Sequence, residues 1–242
     1  MAIAPIRHAP KISASMLADY MVAPSPVAQI GILRQAKTPA DSRPMIIQYQ
    51  HARRCISACL QAPANLNRLV AEAITSLRQR RDDPSSSPLV RDDAVRSIEV
   101  IETFQRTINA LDVGGARYEA GPNPSTSLSI SGVEVTVWPD AVARVVTRGG
   151  ETRVGEVFIR CTMGSAGEGA ENRRSEASRH LATIAHMHTV QFLSHLGSPH
   201  SPTSMVIDVP RETVFRGPAN IARRVANIEA ACQMIAAVWP TV

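Results

Sequence analysis

Lysine is almost missing from this chain of 242 residues: only Lys11 and Lys37 are present, so the formal charge of +5 rests on 24 arginines. No ammonium group is therefore on hand beyond position 37. Aromatic residues are also scarce, with Trp138, Trp239, three tyrosines and four phenylalanines, which argues against a platform that stacks a run of unpaired bases. Of the four cysteines, Cys55 and Cys59 fall one helical turn apart, while Cys161 and Cys232 are isolated. Neither a zinc spacing nor a disulfide framework results, and all four read as small buried residues. No apolar run approaches the roughly twenty residues that a membrane-spanning helix needs. Met1 to Pro10 carries Arg7 and His8 without a following apolar run of signal-peptide type, and reads as a short disordered lead of a cytoplasmic chain. The absence of internal repeats, of a P-loop, of GxGxxG and of GxSxG removes the usual sequence support for ATP hydrolysis, hydride transfer and esterase chemistry.

What the chain does have is 44% hydrophobic residues, enough for one full core, alone or with a helical extension. Its first third reads as wholly helical. Ser13 is placed to cap a helix through Met16, Leu17 and Tyr20, and Ser25-Pro26 opens a second through Ile30 and Leu33. Pro44 opens a third, through Ile47, Ala52 and Ile56 to Leu60, and Pro63 a fourth with Leu66, Leu69, Val70, Ile74 and Leu77 as its apolar stripe. Asp82-Asp83-Pro84-Ser85-Ser86-Ser87-Pro88 is the clearest linker, giving residues 1–84 as a helical cap and 85–242 as a sheet-bearing domain.

Beyond the linker, Ser87 to Asp112 repeats apolar residues at helical intervals. Ile130, Val133, Val135 and Val137 then mark an extended run, and Thr147 to Glu151 a turn, so Gly132 to Cys161 reads as a β-meander. On its last strand, period-two geometry sets Glu156, Phe158 and Arg160 on one face and Val157, Ile159 and Cys161 on the other. Met163 to Gly169 reads as a flexible connection to a long helix from Glu171 to Leu196. A strand at Ser204 to Val209, a hairpin partner at Thr213 to Arg216 and a helix opened by Pro218 and ending at Trp239-Pro240 complete the chain.

Pro139-Asp140 and Glu156-Val157-Phe158, on adjoining strands between two long helices, resemble the signature of the PD-(D/E)XK nuclease superfamily. That resemblance implies an α/β (α+β-like) fold with a restriction-endonuclease-like mixed sheet flanked by helices. It also implies a site in which Asp140, Glu156 and the Val157 carbonyl hold Mg²⁺, with Mn²⁺ as substitute, for phosphodiester hydrolysis. Arg160 would steady the scissile phosphate, Glu102 would be a third acid from the preceding helix, and His180 a residue that orients the site. Phe158 stands where the superfamily has its lysine. Three readings follow: a nuclease with a substituted site, a folded relic that binds without cutting, or a chance match. A strand pair followed by a helix ending near a tryptophan is also similar to uncharacterised bacterial proteins with a Pro-Asp strand motif.

The arginines cluster at Arg53-Arg54, Arg78-Arg80-Arg81, Arg173-Arg174 and Arg223-Arg224. Each cluster alone reads as a solvated helix face. Together they point to a phosphate-rich partner, with duplex nucleic-acid backbone favoured and an acidic protein as the alternative. Arginine abundance in an alanine-rich chain also fits a genomic bias. His180, His186 and His188, with His195 and His200 after them, lack HExxH or paired cysteines and read as surface or packing residues.

Overall fold

Three helices start where a serine hydroxyl accepts an otherwise orphaned backbone N–H: Ser13 from Met16 at 3.2 Å, Ser25 from Ala28 at 3.2 Å and Ser87 from Val90 at 3.4 Å. Pro26 and Pro88 follow two of these caps at the first helical position, where a missing N–H costs nothing. The computed structural model describes residues 8–38, 48–122, 126–162, 164, 167 and 169–242. Within them, α1 (Ala14–Met21), α2 (Pro26–Lys37), α3 (Gln50–Gln61), α4 (Leu66–Asp82) and α5 (Pro88–Thr107) precede the main run of strands. The start expected at Pro44 and Ile47, most of Met163 to Gly169, and Met1 to Arg7 lie outside the described residues.

The strands expected between Gly132 and Cys161 form, but not as one meander: the first pairs within a separate sheet, and only the second and third pair with each other. The strand β4 (Val133–Val137) leads through the Trp138–Asp140 corner into β5 (Ala141–Val146), which pairs antiparallel with β6 (Thr152–Arg160) from Ala141↔Val157 to Val146↔Thr152. From β6 the chain crosses through α6 (Ala170–Phe192) and returns to β8 (Met205–Asp208), parallel to β6. Then β9 (Thr213–Arg216) folds back antiparallel. Flanked by β2 (Arg117–Ala120) and the short β7 (Ser198–Pro199), these strands make a six-stranded mixed sheet whose main path runs β2-β5-β6-β8-β9. A second sheet of three strands has the order β1-β4-β3, with β3 spanning Thr126–Ile130 and β1 Lys11–Ser13.

Both faces of the six-stranded sheet are covered. On one, Ala52, Ile56, Leu77, Ile101 and Phe104 from α3, α4 and α5 pack on Ala141, Val157, Ile159 and Ile207. On the other, Leu181 and Ile184 of α6 lie with Phe158 and Val206 of the sheet, with Leu17 and Leu33 of α1 and α2, with Val135 of the second sheet, and with Ile228, Ile235 and Trp239 of α7 (Ala222–Val238) and its end. The central helix α6 is thus enclosed nearly all round: from Ala177 to Thr189 only Arg179 and Met187 escape full burial. Its polar sequence hides this, because a helix with no wet face need not be amphipathic.

The mixed α/β architecture with helical flanks is the one expected. The first third is not wholly helical, however. Ile12 of β1 is buried beside Val135 in a parallel pairing with β4. The helices α1 and α2 join the core on the α6 side, while α3 and α4 join the opposite one. Among the described residues no helix is long and apolar enough to cross a membrane.

Candidate functional site

Asp140 stands at the entry to β5 with every polar atom engaged. Its N–H donates to the Val157 carbonyl at 2.8 Å, and its own carbonyl accepts from the Ser57 hydroxyl at 2.7 Å. The carboxylate accepts from Ile159 N–H through Oδ2 at 2.7 Å and from Arg53 Nε through Oδ1 at 2.8 Å. Burial raises its pKa above the ordinary carboxylate value, and the Arg53 charge and these hydrogen bonds pull it partly back. Arg53 comes from α3, so the Asp140 side chain belongs to the α3 side of the sheet.

Glu156 belongs to the other side. It is wholly enclosed, its Oε1 lies 2.7 Å from His188 Nδ1, and Oε2 has no hydrogen-bond partner. Burial raises its pKa as well, with His188 opposing. His188, also fully buried, sits on α6 with Nε2 2.6 Å from Thr126 Oγ1 and its ring 4.6 Å from that of Phe192.

The two carboxylates expected to share a cation therefore diverge across β6. One ion needs its oxygens within about 2.0 to 2.6 Å. Here one acid is held by α3 and the other is sealed against α6, and the Val157 carbonyl already accepts from Asp140. These residues do not fit Mg²⁺, and among the described residues no group of three or more His, Cys, Asp or Glu is arranged to hold a metal. As the alternation of β6 predicts, Glu156, Phe158 and Arg160 share a face. That face lies beneath α6, so Phe158 is core and Glu156 is shut off from solvent. Glu102 is exposed on α5 and joins neither acid, while His180 is buried on α6 with Nδ1 lacking a partner.

Thr126, His188 and Glu156 have the hydroxyl–imidazole–carboxylate order of a nucleophile relay. Thr126 lines none of the three main cavities found among the described residues, and both His188 and Glu156 are fully enclosed. The chain of hydrogen bonds instead ties β3 of the small sheet to α6 and through it to β6 of the large one. The three residues lie 62 and 32 positions apart in sequence, a separation that no local spacing reveals. His188, expected as a surface or packing residue, is instead the hydrogen-bond partner of Glu156 through Oε1.

The open chemistry lies at the carboxyl end of β6, where α6 begins. A cavity of about 550 Å³ there is lined by Asp19, Tyr49, Arg53, Arg160, Arg173 and Arg174 among others. Arg174, expected on a solvated face, is buried and binds Asp208 through both arms of its fork at 2.6 and 2.7 Å. This pair joins the start of α6 to the end of β8. Gly164 passes over it with φ of +79°, where a side chain would meet the guanidinium at 2.7 Å. Arg160 reaches Asp19 at 2.9 Å and Ser178 at 3.4 Å. A second cavity of about 560 Å³ shares Tyr49, Cys161 and Thr162 with the first and adds Arg96, Arg106, Glu99 and Glu212. Of the four guanidinium groups that line the first cavity, Arg53 pairs with Asp140, Arg160 with Asp19 and Arg174 with Asp208, and the positive end of the α6 dipole lies beside them.

No protein-family model matches this chain, and no curated protein matches it. The PD-(D/E)XK resemblance thus stands on its residues alone.

Proposed function

We propose that this protein binds the phosphate backbone of duplex nucleic acid without cutting it, using the cavity at the carboxyl end of β6 and its continuation toward α5. The observation that carries this reading is the gathering of Arg53, Arg160, Arg173 and Arg174 around one open cavity at the amino end of α6. In open α/β sheets the carboxyl ends of parallel strands and the following helix start form a natural anion-binding crevice. Arginine suits phosphate because its planar fork can donate to two oxygens at once. The Arg160–Asp19 pair is the exchangeable element: Asp19 is half exposed, so a phosphate can take its place on Arg160. Arg174, closed on Asp208, supplies a fixed floor. The divergence of Asp140 and Glu156 favours binding over metal-assisted hydrolysis, the alternative that the motif implies.

Anisotropy of labelled DNA and RNA duplexes, titrated at several salt concentrations, tests this. Binding should weaken steeply with salt, and Arg160→Ala with Arg173→Ala should lower the logarithmic salt slope by about one per lost phosphate contact. Plasmid should stay intact with Mg²⁺ or Mn²⁺. Cutting that disappears in Asp140→Ala would restore the nuclease reading, and no duplex binding even at low salt would refute the proposed partner.

A further inference from the structure

Among the described residues, the most exposed large aromatic ring stands on a rigid corner and shares a cavity with a cation that has no carboxylate partner there. Trp138, 63% exposed, precedes Pro139 and Asp140 between β4 and β5. Asp140 is fixed by its hydrogen bonds to Arg53, Ser57, Val157 and Ile159, which leaves the corner little freedom. Gly121, the residue after β2, closes on it so near that an added Cβ would lie 2.3 Å from the Pro139 carbonyl oxygen. Opposite, α3 presents Gln50, Arg54 and Gln61 across a cavity of about 520 Å³. Arg54 is exposed and makes no hydrogen bond or ion pair among the described residues. Gln61 donates its Nε2 to Ser57, which leaves its Oε1 as an acceptor toward the cavity. The one carboxylate in the lining, Asp140, is already bound by Arg53, so the charge that remains on offer is positive.

We infer that this cavity is a subsite for a single nucleotide, its base stacked on the Trp138 indole and its phosphate held by Arg54. A flat indole exposed to water favours a flat ligand over an aliphatic one, and stacking on it tolerates any base because every base has a π face. The unpaired guanidinium selects a ligand that carries an anion close to that ring. One ring takes one base, which agrees with the scarcity of aromatics elsewhere. Arg53 borders both this cavity and the arginine-lined one at the end of β6, so a nucleotide here lies next to a backbone bound there. The inference extends the nucleic-acid reading above but rests on different residues.

Fluorescence separates the two. Trp239, the only other tryptophan, is buried with 1% exposure, so Trp138 alone should respond to added adenosine or uridine monophosphate and to a short single-stranded oligonucleotide. The expected result is saturable quenching with both nucleotides. Oligonucleotide binding measured by anisotropy should weaken roughly tenfold or more in Trp138→Leu and be kept in Trp138→Phe, and the nucleotide affinity read from the quenching should weaken roughly tenfold or more in Arg54→Ala. Duplex binding should survive Trp138→Leu nearly unchanged. If nucleotides leave Trp138 fluorescence unaltered while duplex still binds, the subsite is refuted and the backbone reading stands. Quenching by nucleotides without duplex binding overturns the backbone reading alone. Trp138 protection by a proline-rich peptide but not by nucleotides would assign the cavity to a peptide and refute the inference.

Discussion

Replacing His188 by alanine is the sharpest test of how the interior is held. Glu156 has one hydrogen-bond partner, the His188 Nδ1 side of the ring, and no exposure to water; its second oxygen is already unpaired. Removing the imidazole leaves an enclosed carboxyl with no hydrogen bond, and breaking a buried pair from one side costs about 3 to 5 kcal/mol. Glu156→Gln keeps the volume and an acceptor for His188 while removing the charge, so its cost should be about 1 kcal/mol or less. In the Glu156→Gln background, His188→Ala should then cost about 1 to 3 kcal/mol less than in the parent, the coupling of a contacting pair. Urea unfolding of the four proteins, followed by far-UV circular dichroism near neutral pH, measures each term. The pH dependence has a definite sign. Because burial raises the Glu156 pKa, the fold binds its proton more tightly than the unfolded chain does. The stability linked to this group is therefore fully present below its ordinary value of 4.5 and is lost as pH rises through the raised one. The advantage of the parent over Glu156→Gln should shrink with rising pH across that window. A His188→Ala cost below about 1 kcal/mol, or one equal in both backgrounds, would refute the account of a sealed pair.

Three further outcomes follow from the same packing. Phe158→Lys, which restores the superfamily lysine, should destabilise the protein by several kcal/mol and produce no Mg²⁺-dependent plasmid cutting, because position 158 is core beneath α6 and Asp140 lies on the other face; thermal melting with the plasmid assay checks both. Arg174→Met should cost about 3 to 5 kcal/mol by stranding Asp208, and adding Asp208→Asn should recover a large part of it in the same unfolding experiment. His180 and His186 have pKa values lowered by burial, so the stability they contribute is present above their ordinary value of 6.5 and is lost as pH falls below it. A pH series of melting temperatures should decline there, and less steeply when both are replaced by glutamine.

The helices and the β5–β6 hairpin were legible because each carries its own period. Ser13 and Ser25 announce helix starts, and the alternation along residues 154 to 160 predicts the two faces of β6. The site was not legible for a geometric reason. Alternation ranks residues within one strand, but Asp140 precedes β5 and turns its carboxylate onto the Ile159 N–H and α3. No spacing between Pro139-Asp140 and Glu156 encodes that turn. The pairs that do organise the interior, His188 with Glu156 and Arg174 with Asp208, join residues 32 and 34 positions apart. A doubled arginine looks the same on paper whether its second member is wet or buried. One signal was present: Asp208 ends an apolar Met-Val-Ile run, and an acid so placed needs a cation. The strand β1 gave no such sign, having three residues of which only Ile12 is apolar.

That short strand has a bearing on assembly. Lys11–Ser13 leaves the ribosome more than a hundred residues ahead of its mate Glu134–Thr136. Until the two meet, β4 offers one bare flank to any passing chain, and such unpaired flanks invite intermolecular association. Deleting Lys11–Ser13 should therefore show itself less as lost binding than as clumping during synthesis.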